Sequence, residues 1–126
     1  TTLGSNFAAG NACIIVPGQK TSLLATELYQ LLETSDVPAG YINILTTKQN
    51  SLNKILSEHE NIDGIWFFSE NNNERLKVIQ STTSNLKRSW CPQSKNLDWS
   101  SKEEDFLEEF LYQSTQVKNI WIPYGE

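Results

Sequence analysis

At 126 residues, with a hydrophobic fraction of 38%, a mean hydropathy of -0.43 and a net charge of -5, the chain has the size of one domain and an ordinary soluble composition. The acidic balance argues against a nucleic-acid role, because phosphate binding needs clustered Lys and Arg, and the one dense basic spot, Lys87-Arg88, reads as a solvated loop. No apolar run approaches the roughly 18 residues that span a bilayer, no segment reads as a signal peptide, and Cys13 and Cys91 form neither a disulfide framework nor a metal-site spacing; a cytoplasmic location is the expectation.

The first element predicted is a strand at Ala12-Cys13-Ile14-Ile15-Val16, closed by Pro17-Gly18. Its hydrophobicity is continuous rather than alternating, as in a parallel strand covered on both faces. Thr21 or Ser22 can cap a helix running to about Ser35, with Leu24, Leu28, Leu31 and Leu32 on one stripe and Glu27, Gln30 and Glu33 facing water. Pro38 and Gly40 end that unit. Tyr41 to Leu45 is a second strand, and about Ser51 to Glu60 a second helix with Leu52, Ile55 and Leu56 inward. Ile65 to Phe68 is a third strand. Asn73 to about Thr82 is a third helix, with Leu76, Val78, Ile79 and Gln80 around its turns. This alternation builds a parallel α/β sheet through right-handed crossovers.

From Ser89 to Ser101 the chain becomes polar and aperiodic, carrying Trp90, Pro92 and Trp99, and reads as an irregular connection. A last helix from about Lys102 to Ser114 presents Phe106, Leu107, Phe110 and Leu111. Val117 to Pro123 reads as a closing strand. The sequence contains no methionine and starts at Thr1, which suits an internal or C-terminal piece of a longer polypeptide.

Several stretches, in order, resemble the nucleotide-binding region of aldehyde dehydrogenases. Ala8-Ala9-Gly10-Asn11 before an apolar strand and Pro17 is similar to the approach to that family's lysine-proline-serine-glutamate motif. Asp36-Val37-Pro38-Ala39-Gly40 with Ile42-Asn43-Ile44-Leu45-Thr46 resembles its proline-glycine turn and asparagine-centred strand. Ile62-Asp63-Gly64-Ile65-Trp66-Phe67 resembles its next strand, and Ser84-Asn85-Leu86-Lys87-Arg88 the run leading to its general base. Thr115 to Trp121 resembles the family's C-terminal tail. The resemblance implies a Rossmann-like parallel sheet with flanking helices, a cut-down nucleotide-binding lobe over residues 1–90. A loop at 91–100 and a C-terminal helix and strand of the same domain at 101–126 would follow.

The departures set the functional expectation. Where active members hold the adenosine ribose with lysine and glutamate, this chain has Val16 and Gln19, with Gly18 between them in place of serine. Ser69 and Glu70 stand where a glycine-serine pair receives pyrophosphate, so Glu70 puts negative charge in a phosphate site. The family's glutamate base falls on Pro92 or close to it, and proline cannot activate water. Only residues 93–114 separate that point from the C-terminal motif, so the catalytic domain with its nucleophile is expected to be deleted. Cys91 reads as a structural cysteine and His59 as a surface residue at a helix end.

Within the superfamily the pattern most resembles the degenerate C-terminal region of family 16 members. No catalytic, cofactor-binding or metal residue is therefore expected in this segment, while NAD or NADP belongs to the parent family. Three functions follow. The first is a non-catalytic scaffold that contacts another domain or subunit, with a homo-oligomer expected. The second is a dinucleotide-binding module without chemistry, and the third a fragment of an active NAD(P)-dependent enzyme. Trp121, Ile122 and Tyr124 are costly to expose; they suit an oligomerisation strand or a strand closing the domain's own sheet.

Overall fold

The computed structural model describes residues 2–47 and 49–125; the chain ends at Thr1 and Glu126 used above lie outside the described residues. The chain divides into two compact units, Ala12–Ser100 and a smaller one that joins residues 2–11 to 101–125.

In the larger unit, strand β1 (Cys13–Ile15) leads through a 3-10 turn at Gln19–Thr21 into helix α2 (Ser22–Glu33), and strand β2 (Ile42–Ile44) follows. Helix α3 (Gln49–Glu58), strand β3 (Gly64–Trp66), helix α4 (Asn72–Thr82) and strand β4 (Arg88–Trp90) complete it. The α/β class with parallel strands and flanking helices is as expected, but the single sheet is not formed. β1 pairs parallel with β2 and β3 parallel with β4, as two separate two-stranded sheets among the described residues. In register, Ile14 faces Asn43 and Ile65 faces Ser89. Each strand is three residues long, so each ladder holds few bonds; Cys13 N–H to Tyr41 O at 2.7 Å and Phe67 N–H to Trp90 O at 2.9 Å extend them.

Local chemistry explains the punctuation. Tyr41 N–H closes a turn onto Pro38 O at 3.3 Å with Gly40 at φ +88°, a left-handed value that glycine adopts without a Cβ penalty. Thr34 and Ser35 stop α2, their hydroxyls donating to Gln30 O and Leu32 O at 3.1 and 2.7 Å. Thr21 is the N-cap of α2, yet its hydroxyl donates back to Gly18 O rather than accepting a helix amide.

Four expectations are corrected here. Leu24 and Leu31 are 62% and 65% exposed, because α2 turns Ala25, Leu28 and Leu32 inward instead. Ile55 on α3 is likewise exposed, and on α4 it is Val78 and Thr82 that are buried while Leu76, Ile79 and Gln80 face outward. The stretch after Ser89 is not wholly irregular, since Arg88–Trp90 pairs with β3 and Ser94–Asn96 forms a 3-10 turn. Lys87 and Arg88 do not lie in a solvated loop: Lys87 is buried and Arg88 opens β4.

The smaller unit is helical. Helix α1 (Thr2–Ala8), which the sequence reading did not anticipate, packs against helix α5 (Glu104–Ser114). Phe110 and Ser5 are the buried residues of the pair, and Phe106 lies against Phe110 with ring centroids 5.0 Å apart. Asn11 Nδ2 donates to Ser114 O at 2.6 Å and so ends α5. The closing strand expected over Val117 to Pro123 is not formed; residues 115–125 carry no regular structure. A strand needs a partner ladder, and among the described residues of this unit the regular elements are helices.

Candidate functional site

In α/β units of parallel strands, ligand crevices open at the carboxyl ends of the strands. Here those ends are Val16 to Gln19 after β1 and Phe67 to Asn71 after β3, with Cys91 and Pro92 after β4. The first loop offers little to a ribose. Val16 has no donor, Gln19 is exposed, and Gly18 O is already taken by Thr21 N–H at 2.9 Å and its hydroxyl at 3.1 Å.

The second loop leads into the amino end of α4, where free amides would receive an anion. The chain fills that end itself. Asn71 is the N-cap, and its Oδ1 accepts from the amides of Asn73 and Glu74 at 3.0 and 3.4 Å. Ser69 Oγ donates to Glu74 Oε2 and accepts from Asn71 N–H, both at 3.1 Å. Glu70 accepts the Lys95 N–H.

The third loop carries no titratable base at the expected position. Pro92 follows Cys91, whose carbonyl accepts from Arg75 Nε at 2.7 Å. Burial pushes the Cys91 thiol above its ordinary value, against the opposing pull of Arg75 and of a hydrogen bond with the Phe67 backbone. A neutral, buried thiol is a poor nucleophile. Cys13 is also raised by burial. His59 is exposed just beyond α3, where its Nδ1 accepts from Asn61 N–H at 3.2 Å, a local turn contact.

One tie escaped sequence reasoning. Buried Lys87 donates through Nζ to Leu56 O, Ser57 O and His59 O at 2.8, 3.1 and 2.7 Å, closing the carboxyl end of α3. A cation at that end also meets the negative pole of the helix dipole. Burial draws the Lys87 ammonium below its ordinary value, and Asp63 opposes the shift. Beside it Asn85 Nδ2 donates to Ser57 O at 3.3 Å, and Leu86 is held at φ 53°, 93% exposed. No local signal in Asn85-Leu86 announces this seat, since leucine is a good helix former, and the adjacent basic pair reads as solvated.

A groove between α3 and α4 is lined by Lys54, Glu58, Glu74 and Lys77 among others, and these charges balance. Among the described residues no group of three metal-ligating side chains gathers, and no helix is long and apolar enough to cross a membrane.

Short parallel strands joined by helices define a Rossmann-like α/β lobe. The chain belongs to the aldehyde dehydrogenase family, whose model matches residues 1–91. It is similar to the NADP/NAD-dependent aldehyde dehydrogenase PuuC of Escherichia coli strain K12, at 33% identity over 88 residues, which is 70% of this chain. The chain spans only 18% of that relative's length. No solved structure matches it.

Proposed function

We propose that this segment is a non-catalytic aldehyde-dehydrogenase-like lobe with a scaffold or assembly role, within a protein of the same kind as the degenerate C-terminal region of family 16 members. The observation that carries the reading is the amino end of α4. Asn71 occupies amides that a pyrophosphate would need, and Glu70 and Glu74 add negative charge beside them. Val16 and Gln19 weaken the ribose side, and Pro92 stands where a carboxylate base would activate water. NAD or NADP does not fit these residues, and no catalytic step is assigned to them.

A second reading treats the segment as part of an active NAD(P)-dependent aldehyde dehydrogenase whose chemistry lies elsewhere in the polypeptide. Its support is the coverage: the matching stretch is a small share of a relative named as such an enzyme. In both readings the partner is another domain or subunit of an aldehyde-dehydrogenase-like protein, in a homo-oligomer and in the cytoplasm. Trp121, 92% exposed, and its neighbours Ile120 and Ile122 are the side chains that such a contact would cover.

The test is a titration of the folded chain with NAD+, followed by two-dimensional amide NMR and by aldehyde-dependent NADH formation. Neither a saturable shift up to millimolar cofactor nor turnover is expected. Saturable shifts at Val16 to Gln19 and Ser69 to Asn71 would make the segment a dinucleotide-binding module and overturn the reading.

A further inference from the structure

Residues 91–99 follow β4 with one 3-10 turn and no strand or α-helix, yet they are pinned at several points. Ordering such a stretch costs about 1–2 kcal/mol per residue in backbone entropy, so specific contacts must offset it. At its start, Arg75 of α4 donates to Cys91 O at 2.7 Å. In its middle, the turn Ser94–Asn96 has Gln93 as N-cap, but Gln93 makes no side-chain cap bond to a turn amide; its Oε1 accepts from Asn96 Nδ2 at 3.3 Å instead. Glu70, from the loop after β3, supplies the missing acceptor by taking the Lys95 N–H. At its end, the Trp99 ring meets Phe68 in a T-shaped contact at 5.1 Å and 80°. Phe68 in turn meets Trp90 at 5.5 Å and Trp66 at 6.4 Å, so the strap's last ring joins the cluster at the ends of β3 and β4.

Every anchor on the sheet side belongs to the loop after β3 or to the first turns of α4. These elements follow the carboxyl end of β3, where ligand crevices open in parallel α/β units. We propose that residues 91–99 are a strap that closes the carboxyl ends of β3 and β4, latched by Glu70 at the 3-10 turn and by Trp99 at the aromatic cluster. Glu70 thereby has a positive task, as the outside cap of a turn that lacks its own. The strap goes beyond the reading above, since a latch can hold whether or not a dinucleotide binds. The two are separable: the NAD+ titration judges the site, and the following experiment judges the latch.

The experiment is amide hydrogen exchange by NMR on the whole chain, with Glu70→Ala, Glu70→Gln and Trp99→Ala beside the unmodified protein. Lys95 N–H is expected to be protected in the unmodified chain. Glu70→Ala should speed its exchange about tenfold or more, while β3 and α4 amides stay within about twofold, the pattern of local opening. Glu70→Gln, which keeps an acceptor oxygen, should restore most of the protection. Trp99→Ala should speed exchange over 94–99 and increase acrylamide quenching of the remaining cluster tryptophans. Unprotected Lys95 in the unmodified chain would overturn the proposal, as would Glu70→Ala exchange unchanged within about twofold. If Glu70→Ala loosens α4 as a whole, Trp99→Ala, which removes no bond of the α4 cap, decides.

Discussion

In the β1–α2–β2 half of the larger unit, the side-chain hydrogen bonds of α2 reach no farther than the next turn: Thr26 to Leu23 O, Thr34 to Gln30 O, Ser35 to Leu32 O. The β3–α4–β4 half has the same parallel plan, but its ties span 16 to 31 residues, through Arg75 to Cys91, Glu70 to Lys95, and Lys87 to the end of α3. It also holds the T-shaped pair of Trp66 and Trp90 at 5.0 Å. The helix of the first half is thus tied by local bonds, while the second half is cross-linked at the level of side chains. Equal topology does not give equal cooperativity. Long-range polar ties and interlocked rings distribute a local disturbance over the whole unit, whereas locally capped elements open one at a time.

That difference can be broken or sharpened by substitution. The largest effect is expected at Lys87. Lys87→Met removes three charge-assisted bonds and leaves carbonyls at the end of α3 without that donor, a loss of about 2–3 kcal/mol in urea unfolding. A loss under about 0.5 kcal/mol would mean that solvent serves those carbonyls equally well. Next comes the cap of α4. Asn71→Ala should cost about 1 kcal/mol, measured the same way, because two amides lose their acceptor. Smallest is Leu24→Ala on the first half, within about 0.5 kcal/mol of the unmodified chain, since most of that side chain is in water. A cost near that of Lys87→Met would show α2 to be as firmly tied as the end of α3, and the contrast between the halves would fail.

Much of the element order was legible from residues. The continuous runs Cys13 to Ile15 and Ile65-Trp66 and the Pro38-Gly40 break place β1, β3 and the end of the first unit, and residue 114 ends the last helix as read. What a side chain faces was less legible. Leu24 and Leu28 are equally apolar, and only the partner surface decides that Leu28 turns inward while Leu24 does not. Strand β4 was missed because Arg88-Ser89-Trp90 has no apolar run; its pairing depends on β3, far away in sequence. Of the candidate site, the substitutions at Val16, Gln19, Glu70 and Pro92 were readable one by one. That Asn71 fills the α4 amides, and that Glu70 reaches Lys95 25 residues on, required the fold. Buried lysines are rare, so Lys87 was read by its usual habit.

The seat of Lys87 has a further consequence. Lys87-Arg88 is the chain's only pair of adjacent basic residues, and on paper the first place a trypsin-like protease would cut. With Lys87 spent on three carbonyls and Arg88 in the β4 ladder, neither can enter a protease pocket while the fold stands. Cleavage there would meter the opening of the β3–α4–β4 half, while the exposed Lys118, outside any helix or strand, would be clipped without that opening.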